Sequence, residues 1–250
     1  MNFLEENINT IVHGDSYELI KSIPDKSIDC IYTDIPYLYQ QGGFGNKSDI
    51  GKRMEKKKNE LKKYNLEDGI DYNILSEFIR IMKNINCFIW CSRLQVLDIL
   101  NFFSKYDCSY DILVWCKSNP SPSTNNTWLS DIEYCLYFRQ KLKVKLNDGY
   151  ELKSKYYVSA TNKLDKELFK HPTIKPLNLV KRHLLHATQV NDVILDCFSG
   201  SGTTCVACKE INRNFIGIEI VDEFFEVSVD RLNGITSTGQ TSIFTDFGDI

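Results

Sequence analysis

Two stretches of this sequence bring together residue types that can do chemistry. In "TDIPY", Thr33 to Tyr37, the apolar run "IDCIY" ends in an acid, a proline and an aromatic ring, and then opens into the glycine-rich "QQGGFG". Taken alone, the pentapeptide reads as a turn in which Asp caps, Pro punctuates and Tyr covers the loop. In "LDCFSGSGTT", Leu195 to Thr204, Gly200 and Gly202 stand between a strand-like run and a helix-like one. Glycines there let a ligand approach the backbone closely, and the helix N-terminus favours negative charge.

The run "NFIGIEI" after that helix carries Glu219, nineteen residues beyond Gly200. An acid at the end of the second strand can accept both hydroxyls of a ribose, a geometry that nicotinamide and S-adenosyl cofactors share. Strand, glycine turn, helix, strand and terminal acid in this order predict a nucleoside-cofactor site. Cys205 occupies the place of the third glycine of a dinucleotide fingerprint, which tilts against a pyrophosphate-bearing cofactor.

These residues need a frame, and the chain supplies an alternating one. "SIDCIYT", "CFIWCS", "DILVWCK" and "IEYCLYF" are strand-like, with the helix-like "RLQVLDILNFFSKY" among them. After residue 171 the pattern becomes regular: the helical "PLNLVKRHLLHAT", the buried strand "DVILDCF", the glycine turn with its helix, "NFIGIEI", and a last helix "DEFFEVSVDRLN". Alternation of this kind implies right-handed crossovers and a mostly parallel, doubly wound α/β sheet covered on both faces. The segment from Arg139 to Lys170, polar and rich in Tyr and Lys, breaks the alternation and is expected to be an insertion outside the sheet.

With 250 residues, 42% hydrophobic and 25% charged, the chain suits one domain with an embellishment. No run approaches the roughly 18 apolar residues of a bilayer span, and an intracellular, cytoplasmic protein with no membrane partner is expected. Most of the nine cysteines should then be reduced. The Cys205/Cys208 pair falls in an expected helix with no second pair or nearby His, so it is read as packing rather than as a zinc or redox site. The net charge of -3 hides two basic segments, Tyr39 to Leu66 and Arg139 to Lys170, each carrying +5. Either one alone suits a solvated surface.

The chain resembles the amino-methylating DNA methyltransferases, which modify adenine N6 or cytosine N4. Their signature tetrad, Asp/Asn/Ser-Pro-Pro-Tyr/Phe, stands here as "DIPY", and their "F-x-G-x-G" turn as "FSGSG". "HGDSYELIKSIPDKSIDCIYTDIPY", "HPTIKPLNLVKRHLLHAT" and "NFIGIEIVDEFFEVSVDRL" look like the family's opening segment, the helix before its glycine turn, and its closing strand and helix. The order, tetrad first and glycine turn late, is that of the permuted β class. The resemblance implies a Rossmann-like S-adenosylmethionine-dependent fold and a bacterial or phage-encoded enzyme acting on double-stranded DNA. Residues 1–138 would form the half with the tetrad and a mobile basic loop at about 39–66. Residues 139–170 would be a short target-recognition insert, 171–234 the cofactor half, and 235–250 a flexible tail.

The resemblance also implies roles. Asp34, Ile35, Pro36 and Tyr37 would be catalytic: the Asp34 carboxylate and the Ile35 carbonyl accept the two N–H groups of an exocyclic amine, Pro36 fixes the turn, and Tyr37 stacks on the flipped base. Asp196, Phe198, Gly200 and Gly202 would line the methionine and sulfonium part of the cofactor, with Thr203 in the same site. Glu219 would hold the ribose and Asp15 would contact the adenine. Thr173 and Lys175 match positions near the methionine carboxylate, while His171 is read as a turn or capping residue. Ile35 departs from the family, where Pro is usual, which puts the stiffness of the turn in question. Asp at the first tetrad position favours adenine over cytosine. A homodimer is expected as an option, and "QTSIF", Gln240 to Phe244, resembles short peptides that dock on replication clamps. A non-catalytic DNA-binding relative and a nicotinamide oxidoreductase are the competing classes.

Overall fold

The computed structural model describes residues 2–39, 59, 68–120, 128–141, 153–161, 163–169 and 173–235. His171, most of the basic segment from Tyr39 to Leu66, and Gln240 to Phe244 lie outside the described residues.

Among the described residues, eight strands form one sheet: β1 (Thr10–His13), β2 (Cys30–Asp34), β3 (Asn86–Cys91), β4 (Ser109–Lys117), β5 (Ile132–Arg139), β6 (Tyr156–Ser159), β7 (Val193–Asp196) and β8 (Asn214–Glu219). Their order is β1-β8-β7-β2-β3-β5-β4-β6. From β1 to β3 the neighbours are parallel, whereas β5 pairs antiparallel with both β3 and β4. The helices are α1 (Phe3–Asn7), α2 (Ser16–Leu19), α3 (Ile74–Ile81), α4 (Val96–Phe103), α5 (Lys163–Leu168), α6 (Leu177–Ala187), α7 (Thr203–Glu210) and α8 (Asp222–Leu232).

The central strands are apolar almost throughout because both of their faces are covered. Alternate residues feed two separate cores. Ile31, Ile89, Leu195 and Ile216 join Phe78 of α3 and Ile99 of α4 in one. Cys30, Tyr32, Phe88, Trp90, Ile194 and Phe215 join α6 and α7 in the other. This is the doubly wound α/β sheet expected from the sequence.

One expectation needs correcting. Tyr156–Ser159 lies inside the segment read as an insertion outside the sheet, yet it pairs parallel with β4 as the edge strand. It is only four residues long and half-exposed, and the polar, Lys-rich residues around it hid it. The helix α3 was not anticipated either, although Ile74, Leu75, Phe78 and Ile81 form a buried helical stripe.

Between β7 and β2 the sheet changes direction. From β7 the chain proceeds to β8 on one side, and from β2 to β3 on the other. The carboxyl ends of two such strands splay their following loops apart and leave a crevice, the usual ligand position in an open α/β sheet.

Candidate active site

The crevice at that switch point is a cavity of about 320 Å³, lined by Asp34 and Tyr37 on one side and by Phe198, Gly200 and Glu219 on the other. Asp15, Ile35, Pro36, Thr173, Lys175, Asp196 and Thr203, all singled out by sequence, line it too. Gly202 stands just behind, as the N-cap of α7. Thr33 ties the two halves together: its Oγ1 donates to Asp196 Oδ1 at 2.9 Å, linking the end of β2 to the end of β7.

On the β7–β8 side the chain builds a cradle. Gly200 and Gly202 have φ of 51° and 73°, the left-handed region that glycine enters freely. At Gly202 a Cβ would also press on Ser228 Cβ at 3.1 Å. Glu219, 7% exposed, accepts from the backbone N–H of Gly200 at 2.7 Å and from that of Val221 at 2.9 Å. Burial pushes its carboxyl up, against the pull of those backbone donors. The acid thus first shapes the glycine turn, with lone pairs to spare for further donors. Asp196 is more enclosed; burial, outweighing its hydrogen bonds to Thr204, Thr33 and the Phe198 N–H, pushes its carboxyl up to about 7. Asp15 caps α2 by accepting from Tyr17 N at 2.8 Å, and Tyr17 meets Phe198 edge-on. From the last helix, Arg231 donates to Ser201 and Thr203, bracing the turn from behind.

The β2 side is a network of charges. Lys175 Nζ lies 2.5 Å from Asp34 Oδ2, 3.0 Å from Glu133 Oε2 and 3.2 Å from the Tyr37 hydroxyl. An ammonium has three N–H donors, and these three acceptors use them all. Lys175, which the resemblance implied lies near the methionine carboxylate, thus stands against the tetrad acid within the same cavity. Glu133 on β5 is held again by Lys117 at 2.6 Å, and it accepts from the Tyr37 hydroxyl at 3.3 Å. Burial pushes the Glu133 carboxyl up, but the Lys175 and Lys117 ammoniums outweigh it and hold it down at about 2. For Asp34 the balance differs: burial wins over the single lysine and raises its carboxyl.

The two oxygens of Asp34 are unlike. Oδ2 is committed to Lys175, whereas Oδ1 is enclosed and has no hydrogen-bond partner among the described residues. A buried acceptor without a donor is costly, and in a cleft it marks a place where a ligand N–H or O–H fits. Beneath, Trp90 lies 5.1 Å under the Lys175 ammonium, its Nε1 donating to the Tyr32 hydroxyl, which in turn meets His183 Nδ1 at 3.1 Å. Burial pushes His183 down to about 3, so this floor is neutral. Sequence reasoning missed Glu133, Lys117 and His183; a lone acid inside "IEYCLYF" was the one visible signal for Glu133.

Comparison with known proteins agrees with this arrangement. A family model described as DNA methylase, covering N6 and N4 enzymes, matches residues 28–230. The type II methyltransferase M2.MboI of Moraxella bovis is 34% identical over 93% of this chain and 90% of its own. M2.LlaDCHI of Lactococcus lactis subsp. cremoris is 32% identical over 92% and 91%, and M2.DpnII of Streptococcus pneumoniae 30% over 94% of each. Among solved structures, the M1.HpyAVI–SAM complex superposes with a TM-score of 0.67 at 28% identity, covering 89% of this chain and 98% of that one. The cytosine-N4-specific PvuII methyltransferase shares the fold with a TM-score of 0.63 at 16% identity, over 89% and 85%. With the tetrad, the glycine turn and the terminal acid gathered at one switch point, and a family model spanning most of its length, the chain belongs to the N6/N4 family of DNA methylases.

Proposed function

We propose that this protein transfers the methyl group of S-adenosylmethionine to the N6 amino group of adenine within a short DNA sequence. The observation that carries this reading is the asymmetry of Asp34: one carboxylate oxygen is clamped by Lys175, and the other is enclosed and unclaimed at the mouth of the cofactor cradle.

The cradle fits the cofactor. Glu219 would take the ribose hydroxyls, and the left-handed glycines would allow close approach of the methionine part. When bound, S-adenosylmethionine supplies an electrophilic methyl group. The protein must then aim a poor nucleophile, because the lone pair of an exocyclic amine is delocalised into the base. Asp34 Oδ1 and the Ile35 carbonyl would each accept one N–H, drawing the nitrogen towards tetrahedral geometry. The proton lost after transfer needs no strong base, since the methylated nitrogen is briefly cationic. Tyr37 would stack on the base, which leaves the duplex at a cost of a few kcal/mol. Its hydroxyl, tied to Glu133 and Lys175, would fix the plane of that platform. A charge-assisted hydrogen bond contributes only about 1.5 to 3 kcal/mol, so positioning must supply most of the acceleration.

Incubation with methyl-labelled cofactor and mixed-sequence DNA should place label in N6-methyladenine. Asp34→Ala should bind the cofactor as the parent does and transfer no methyl; transfer at near the parental rate would overturn the mechanism. Label in cytosine alone would move the assignment to N4. The leading Asp of "DIPY" favours adenine, since Ser is commoner in the cytosine enzymes.

A further inference from the structure

Gln95 is fully buried, yet both ends of its side-chain amide are in use. Nε2 donates to the Pro36 carbonyl at 3.0 Å, and Oε1 accepts from the Ser92 N–H at 3.0 Å. The backbone holds the residue just as firmly. Its N–H donates to Ser92 O at 3.0 Å, and its carbonyl accepts from Ile99 N at 3.1 Å at the start of α4. Gly69 packs on the same amide: a Cβ there would sit 3.5 Å from Nε2, and its φ of +76° suits glycine. The amide therefore joins the β3–α4 connection to the turn that follows Asp34.

That turn has an unusual problem at position 35. Ile35 lacks the ring that would fix its φ, but it keeps an N–H, which donates to Trp90 O at 3.2 Å and prolongs the β2–β3 ladder by one residue. Its side chain is 1% exposed and belongs to the core. Position 35 is thus held by the sheet, and position 36 by Gln95. The Pro36 carbonyl belongs to the Pro36–Tyr37 peptide, which, if freed, could rotate and carry the Tyr37 ring with it.

We propose that Gln95 is a positioning residue for methyl transfer, which locks the Pro36–Tyr37 peptide so that the Tyr37 ring keeps a fixed relation to Asp34. This rests on the proposed function, because it assigns Gln95 to the step in which an amine and its base are held. It acts only through Pro36 and lies outside the cofactor cradle.

Gln95→Met keeps the length of the side chain and removes both amide bonds. The full-length variant should bind S-adenosylmethionine, measured by calorimetry, within about twofold of the parent. Its KM for cofactor and for mixed-sequence DNA should stay within about twofold as well. The single-turnover transfer rate should fall at least about tenfold, the pattern of an interaction that matters mainly in the transition state. Ile99→Val, a core change in the same helix, controls for loosening of α4. It should transfer at the parental rate even where its thermal midpoint falls as far as that of Gln95→Met. The inference is overturned if Gln95→Met transfers within twofold of the parent, if its cofactor affinity falls in step with its rate, or if Ile99→Val slows equally. A parent protein without any transfer overturns the proposed function and this inference together, which separates the two failures.

Discussion

Lys175 Nζ and Asp34 Oδ2, 141 residues apart in the chain, lie 2.5 Å from each other at the floor of the cleft. Burial alone would keep the Asp34 carboxyl protonated over a wider pH range, and the lysine is what opposes this. Removing the ammonium leaves Asp34 buried beside Glu133 with no cation of its own.

The first prediction concerns that pair. In Lys175→Met the Asp34 carboxyl should rise further, so that a larger fraction is protonated and lost as an acceptor. Single-turnover methyl transfer at pH 7 should fall by about 10- to 150-fold, the equivalent of one charge-assisted hydrogen bond. The deficit should shrink as pH is raised, since base restores the carboxylate. A loss that stays constant from pH 6 to pH 9 would show that Lys175 does not act through the ionisation of Asp34.

Glu219 yields a prediction about division of labour. Its two oxygens already accept from the Gly200 and Val221 N–H groups, so truncation should loosen the glycine turn as well as remove the ribose contact. Glu219→Ala should weaken S-adenosylmethionine binding at least about tenfold by calorimetry. Glu219→Gln, which keeps an acceptor oxygen, should lose less. DNA affinity should change in neither variant, and equal losses in the two would argue against a role in shaping the turn.

Much of this site was legible in the sequence, for a physical reason. Asp34, Gly200, Gly202 and Glu219 each sit at the end of an apolar strand or the start of a helix, so local patterning placed them. Their convergence follows from the parallel topology that the alternation implied. Glu133, Lys117 and Gln95 were illegible because their importance lies in partners 16 to 96 residues away, whose approach no local pattern fixes. Lys175 shows the same limit. The resemblance implied a place near the methionine carboxylate, and nothing local in the sequence announced its contacts with Asp34 and Glu133. The edge strand Tyr156–Ser159 escaped notice because, short, half-exposed and set in a polar, basic segment, it carries no buried-strand signature.

Gly217 is a glycine no motif flagged. A Cβ there would lie 2.8 Å from Cys205 Sγ, 3.1 Å from Ile11 Cγ1 and 3.2 Å from Ser199 Cβ. Its backbone is ordinary strand, so the demand is for space alone. Gly217→Ala should destabilise the fold by about 1 to 3 kcal/mol in chemical denaturation, the usual cost of overpacking. Adding Cys205→Ala removes the nearest obstacle. The double variant should lose less than the sum of the two single losses, and strict additivity would mean that the Cys205 sulfur is not what Gly217 makes room for.

Asp196 ties stability to pH. Its carboxyl is held up at about 7 by burial, against an ordinary value of 3.8. Between these values the folded chain binds a proton that the unfolded chain has released. The contribution is therefore complete below the ordinary value, and it is lost as pH rises through about 7. Asp196→Asn has no such proton to lose. In denaturant melts of the cofactor-free protein, the stability of the parent relative to this variant should decline steadily from pH 4 to pH 7 and level off above. A difference that is flat across this range, or that rises with pH, would mean that Asp196 is ionised in the folded protein and that Thr33 and the Phe198 N–H hold it as a carboxylate.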